Sequence, residues 1–152
     1  MTAHVKPGRR PLFSAGLGYY VRALNKSISR TLASALAEHD VGLEHYYYLR
    51  SLFEEDHISQ AELSKRVGIE SATATRVLAT MERYGLIRRT RDTGDRRIIN
   101  VTLTPQAKQL EASLRSALER VNQQYLVGIP DNEHAAFRAT VLKMLANVGH
   151  SL

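Results

Sequence analysis

The spacing of apolar residues changes along this chain, and each change marks an element. From about Ser14 to Glu38, Leu17, Val21, Leu24, Ile28, Leu32 and Leu36 recur at steps of three and four, which predicts a long amphipathic helix. A second helix is expected from about Leu43 to Glu55, with Leu49, Leu52 and Phe53 inward. Two shorter helices follow from Ser59, with an inner face of Leu63, Val67, Ile69, Ala74, Val77 and Leu78 and with Gly68 at the tight turn between them. The period then drops to two: Ile99, Val101 and Leu103 alternate with Ile98, Asn100 and Thr102. Leu86 to Thr90 and Arg97 to Leu103 therefore read as a hairpin around the charged loop Arg91 to Arg96. Thr104 and Pro105 form an N-cap and N1 pair for a helix through about Val127, and Asp131 is expected to cap a last helix through about Val148.

The helix ends carry their own signals. Ser59 with Glu62 is a capping box, Ser71 is a serine cap for the next helix, and Gly85 is suited to the residue just past that helix's end. The helix after Ser71 keeps Ala74, Val77, Leu78 and Met81 on one face. It leaves Ala72, Arg76, Ala79 and Arg83 opposite, flanked by Thr75 and Thr80. A small, hydroxylic and basic face suits a DNA major groove, because it permits close approach and offers donors to phosphates and base edges. The expected fold is mainly α with a small β component (α+β): a helix-turn-helix running into a two-stranded wing over residues 43–103.

Four items in this order, Leu63 to Ile69, Thr75-Arg76, Met81 to Arg89 and Asp95-Arg96-Arg97, followed by Leu103-Thr-Pro opening a long helix, resemble the multiple antibiotic resistance regulator (MarR) family of winged helix-turn-helix transcription factors. The resemblance spans nearly the whole chain as a single domain, 1–152. It implies that Ser71, Thr73, Thr75 and Arg76 meet the major groove and flanking phosphates. It further implies that Arg97 enters a minor groove with Asp95 holding it in place. Arg96 stands beside it, so the sequence leaves open which arginine inserts, and Asp95 alone would read as an ordinary turn residue. In the family the terminal helices, here 11–39 and 104–152, interlock in a two-fold dimer facing a palindromic operator. The stripes Leu110, Leu114, Leu118, Val121 and Tyr125, then Phe137, Val141, Leu142 and Leu145, are more apolar than exposed helices of a monomer should be, with packing inside the chain expected for some of them.

Composition narrows the rest. A net charge of +6 favours an acidic partner such as double-stranded DNA, and the first ten residues read as a flexible basic arm. Zero cysteines exclude disulfides, cysteine zinc sites and thiol-based sensing. With no membrane-length apolar run and no signal-peptide core, a cytoplasmic protein is expected. No phosphate loop, nucleophile elbow or paired metal motif points to an enzyme, and no cofactor is expected. His39, Asp40, Glu44 and His45 match no zinc spacing, which leaves a metal-responsive regulator a minor alternative. Tyr19, Tyr20 and Arg22 on the first helix, with His45, Tyr46, Tyr47, Tyr48 and Arg50 on the second, offer rings and cations. Since family members bind small aromatic carboxylates, the resemblance makes Tyr19, Arg22, Tyr46, Tyr47 and Arg50 candidate effector contacts. Core or interface tyrosines in a ligand-independent architectural DNA-binding protein are the competing reading. The whole is expected to act as a ligand-responsive homodimeric repressor, with activation left open.

Overall fold

The computed structural model describes residues 16–150. The basic arm and the first residues of the proposed dimerisation segment lie outside the described residues. Six helices and three strands follow in order: α1 (Leu17–Ala37), α2 (Leu43–Glu54), β1 (Ile58–Ser59), α3 (Gln60–Val67), α4 (Ser71–Arg83), β2 (Ile87–Arg91), β3 (Ile99–Leu103), α5 (Pro105–Leu126) and α6 (Asp131–Asn147). The sheet is antiparallel in the order β1-β3-β2, with Ile87 facing Leu103, Arg89 facing Val101 and Ile58 facing Val101 from the other side. β1 was not foreseen, since two residues cannot display an alternation. It turns the expected two-stranded wing into a three-stranded sheet anchored beside α3.

The core sits where these elements converge. Leu36, Tyr48, Leu49, Leu52, Leu63, Leu78, Met81, Ile87, Val101 and Leu114 are essentially inaccessible, so α1, α2 and α5 contribute to the same core as the helix-turn-helix and wing. Burying each such aliphatic side chain contributes roughly 1.5–3 kcal/mol. Leu114 and Val121 are buried within the single chain, so for these two the stripe packs inside the chain and does not await a partner. α6 differs sharply: no residue of it is buried.

Local chemistry explains the boundaries. Ser59 Oγ accepts the Glu62 N–H at 3.1 Å, but the Glu62 carboxylate turns to Arg66 (2.9 Å), so only half of the expected capping box forms. Gly68 ends α3 at φ 72° and Gly85 follows α4 at φ 70°, conformations that a Cβ would strain. Two expected caps are displaced by one residue. Glu70 is the N-cap of α4, with Ser71 its first residue, and Pro130 is the N-cap of α6, with Asp131 its first residue. Thr104 behaves as read: its hydroxyl accepts the Ala107 N–H at 3.2 Å and donates to the Gly85 carbonyl at 2.6 Å, joining α5 to the end of α4.

Candidate nucleic-acid interface

α4 buries Ala74, Val77, Leu78 and Met81 and leaves Ala72, Thr73, Thr75, Arg76, Ala79 and Arg83 exposed, the division its spacing predicts. α3 braces it from below. Gln60 Nε2 donates to Thr75 Oγ1 at 3.1 Å, tying the first residue of α3 to the exposed face of α4. Thr80 returns its hydroxyl to the Arg76 carbonyl. The result is a helix whose exposed surface is made of short alanine and threonine side chains, with Arg76 and Arg83 the long ones.

The wing is organised by two aspartates. Asp92 Oδ1 accepts the N–H groups of Gly94 (2.8 Å) and Asp95 (3.0 Å), while Oδ2 takes Asn100 Nδ2 at 3.1 Å, folding the loop back on β3. Those bonds, led by the Asp95 N–H, hold its carboxyl below the usual range. Asp95 accepts the Arg97 backbone N–H at 3.0 Å and grips its guanidinium through Nε (3.0 Å) and Nη2 (2.8 Å). Each lowers or raises the other accordingly: Asp95 is acidified, Arg97 is made still more basic. Even so the Arg97 side chain is 90% accessible. A guanidinium held along one edge and exposed at the surface is a group that can pair with phosphate or fit a narrow groove. Arg96 is exposed too, with its carbonyl accepting from Arg91 Nη1 at 3.2 Å.

Two further links, each joining different elements, were missed. Glu82 at the end of α4 receives the Arg89 N–H and guanidinium. Asp56, ahead of β1, accepts N–H groups from His57 and Leu103 (2.8 Å each) and pairs with Lys108 Nζ at 2.8 Å. Partial burial works to raise both carboxyls, and the bonds outweigh it, leaving both lowered. From sequence each reads as a solvated acid: Arg89 lies on another element from Glu82, and Leu103 and Lys108 lie 47 and 52 positions from Asp56.

The candidate effector residues separate. Tyr46 is buried and, with Arg50, Phe53, Leu114, Arg115 and Leu118, lines a cleft of about 130 Å³ between α2 and α5. Burial pushes the Tyr46 hydroxyl up. Tyr47 is exposed on another face of α2, and Tyr48 is wholly inside the core, consistent with the 100° turn between successive residues. Tyr19, at 58% accessibility, and Arg22 project from the first turns of α1 and do not reach this cleft within the chain. His45 lies under Tyr84 in an edge-on contact at 5.8 Å. Among the described residues, no three His, Asp or Glu side chains are grouped to hold a metal, and no helix is long and apolar enough to cross a membrane.

Comparison with known proteins follows the same outline. The MarR family model matches residues 43–99, from the start of α2 to the start of β3. YdgJ of Bacillus subtilis, described as an uncharacterized HTH-type transcriptional regulator, is 30% identical over 132 residues, covering 87% of this chain and 79% of its own. TtmR of Methylorubrum extorquens, an HTH-type transcriptional regulator, is 32% identical over 98 residues, which are 64% of this chain and 50% of that protein. Among solved structures, an E. coli MarR mutant complexed with operator DNA superposes with TM-score 0.83 at 22% identity, covering 90% of this chain and 99% of that one. The S. aureus MepR–DNA complex gives TM-score 0.81 at 23% identity, covering 87% and 98%. At such identities these two structures speak for the fold.

Proposed function

This chain belongs to the MarR family of transcriptional regulators, and we propose that it is a homodimeric repressor that grips a palindromic operator and releases it on binding a small aromatic carboxylate. The observation that carries the DNA reading is the wing, where Asp95 holds one edge of the Arg97 guanidinium and leaves the side chain exposed. Ser71, Thr73, Thr75 and Arg76 on α4 would supply the major-groove contacts, and Arg97, with Arg96 beside it, the minor-groove contact. Two solved structures with this fold, S. aureus MepR and the E. coli MarR mutant, are complexes with DNA, which supports the DNA reading.

The dimer reading rests on α6. A helix of 17 residues with no buried side chain has little to hold it in water by itself. The bare Phe137, Leu142 and Met144, with the exposed Leu17, Val21 and Leu24 of α1, supply the apolar surface that a second copy would cover.

The effector reading rests on the α2–α5 cleft, which joins the DNA-reading lobe to the helix leading toward α6. Its volume lies below the roughly 300–1,000 Å³ of drug-sized sites, which restricts the effector to a single small ring. Arg50 is paired with Glu54 at 3.6 Å and Arg115 with Glu111 at 3.0 Å, both on exposed surface. A carboxylate would compete for these arginines while its ring lay against Tyr46 and Phe53. Binding releases DNA only by the difference in affinity between the two lobe arrangements. The test starts with genomic fragments captured by the purified protein. Benzoate, salicylate and hydroxycinnamate are then titrated against the recovered site, with uncharged analogues beside them. Acids that release DNA from the wild type and fail on Arg50→Ala or Arg115→Ala support the reading; equal release by uncharged rings contradicts it.

A further inference from the structure

We infer that Glu82 is a positioning residue for DNA reading: by fastening the wing to the end of the recognition helix, it sets where Arg97 arrives in the minor groove. The inference rests on the DNA-binding reading above and adds a residue that need not touch DNA, since a carboxylate gains nothing beside phosphate.

The geometry is specific. β2 is an edge strand in the order β1-β3-β2, so an N–H of β2 that points away from β3 has no ladder partner. The Arg89 N–H is such a group, and Glu82 Oε1 accepts it at 2.9 Å. Glu82 Oε2 takes the same residue's Nε at 2.9 Å and Nη2 at 2.8 Å. One carboxylate thus holds both the backbone of the strand and its guanidinium, and the grip is on the strand itself, where a side-chain pair alone could swing. Arg89 sits opposite the buried Val101, in the middle of the hairpin. Between α4 and β2 the covalent link is only Tyr84, Gly85 and Leu86, with Gly85 in the left-handed region. Leu86 and Ile87 anchor the base of the wing in the core. Beyond them, Glu82 is the brace between helix and hairpin.

Two contacts in adjacent grooves add their binding energy only if their spacing is held before DNA arrives. Releasing the brace should therefore cost the Arg97 contact and spare the α4 contact. On the captured operator, Glu82→Gln keeps an oxygen for the Arg89 N–H but loses the charge, and should weaken binding about threefold to tenfold. Glu82→Ala should weaken it further. In an Arg97→Ala background both substitutions should cost less than about twofold, because the contact they position is already gone. Hydroxyl-radical protection in the flanking minor groove should fade, while protection of guanine N7 in the major groove persists. Should Glu82→Ala fail to fold by circular dichroism, Glu82→Gln carries the test. Equal losses in both backgrounds, parallel loss of both footprints, or no loss at all would overturn the inference. Absence of any site-specific footprint from the wild type would instead remove the DNA-binding reading beneath it.

Discussion

Arg97 and Asp95 are two positions apart; the family resemblance, and not the local sequence, implied their pairing, and the bidentate bond, with the side chain still exposed, gives it a geometry. Arg97→Ala is expected to weaken operator binding by about 1–3 kcal/mol while the melting temperature stays unchanged. Asp95→Ala should cost less, and the double variant less than the sum of the singles, because the aspartate acts through the arginine. Titration calorimetry or anisotropy on the four proteins checks this; strict additivity would dissolve the link. Asp56 belongs to the other kind of residue, legible only in three dimensions. Its partners Leu103 and Lys108 are 47 and 52 positions away, and nothing local distinguishes it from a solvated acid. Its carboxyl is lowered in the fold from the usual 3.8, so the stability it lends is complete above that value and fades as pH falls through the depressed one. Asp56→Asn should therefore flatten the acid limb of a stability-versus-pH curve below about pH 4, with little change in slope from pH 5 to 8. An unchanged acid limb would mean that the bonds to Leu103 and Lys108 do not survive in solution.

The helices and strands were legible in proportion to the length of their repeat. α4 gives four inward positions in register and caps within one residue of the expected place, and the wing strands shift by one or two. β1 is too short to carry a pattern. The stripe on α5 was visible, but its destination was not: periodicity marks an apolar face without saying which molecule covers it. Leu114 is covered by its own chain, whereas Phe137 stands 55% accessible on α6. This division yields opposite expectations for two substitutions of one kind. Leu114→Glu places an unpaired carboxylate in the chain's own core, costs several kcal/mol, and should unfold the protein. Phe137→Glu should leave the winged-helix core intact by near-ultraviolet circular dichroism and lower the mass by half in light scattering. A Phe137→Glu protein that remains dimeric would place the proposed interface elsewhere.

A chain with net charge +6 draws DNA without regard to sequence, and that attraction by itself gives no operator. In the proposed reading, operator recognition comes from α4, the wing and a second lobe held in register, which is where the fold would add to the charge. In a salt titration, loss of an Arg76 contact to phosphate should reduce the slope of log affinity against log salt by about 0.9, whereas loss of a base contact should leave the slope and alter base preference. The most direct test combines stoichiometry with footprinting on the genomic site the protein selects. Two chains per site are expected, with two major-groove protections about one helical turn apart, or a multiple of it, related by a two-fold axis and flanked by minor-groove protections that vanish in Arg97→Ala. One chain on a single half-site, or binding that does not distinguish the site from random DNA at about 0.15 M salt, would contradict it.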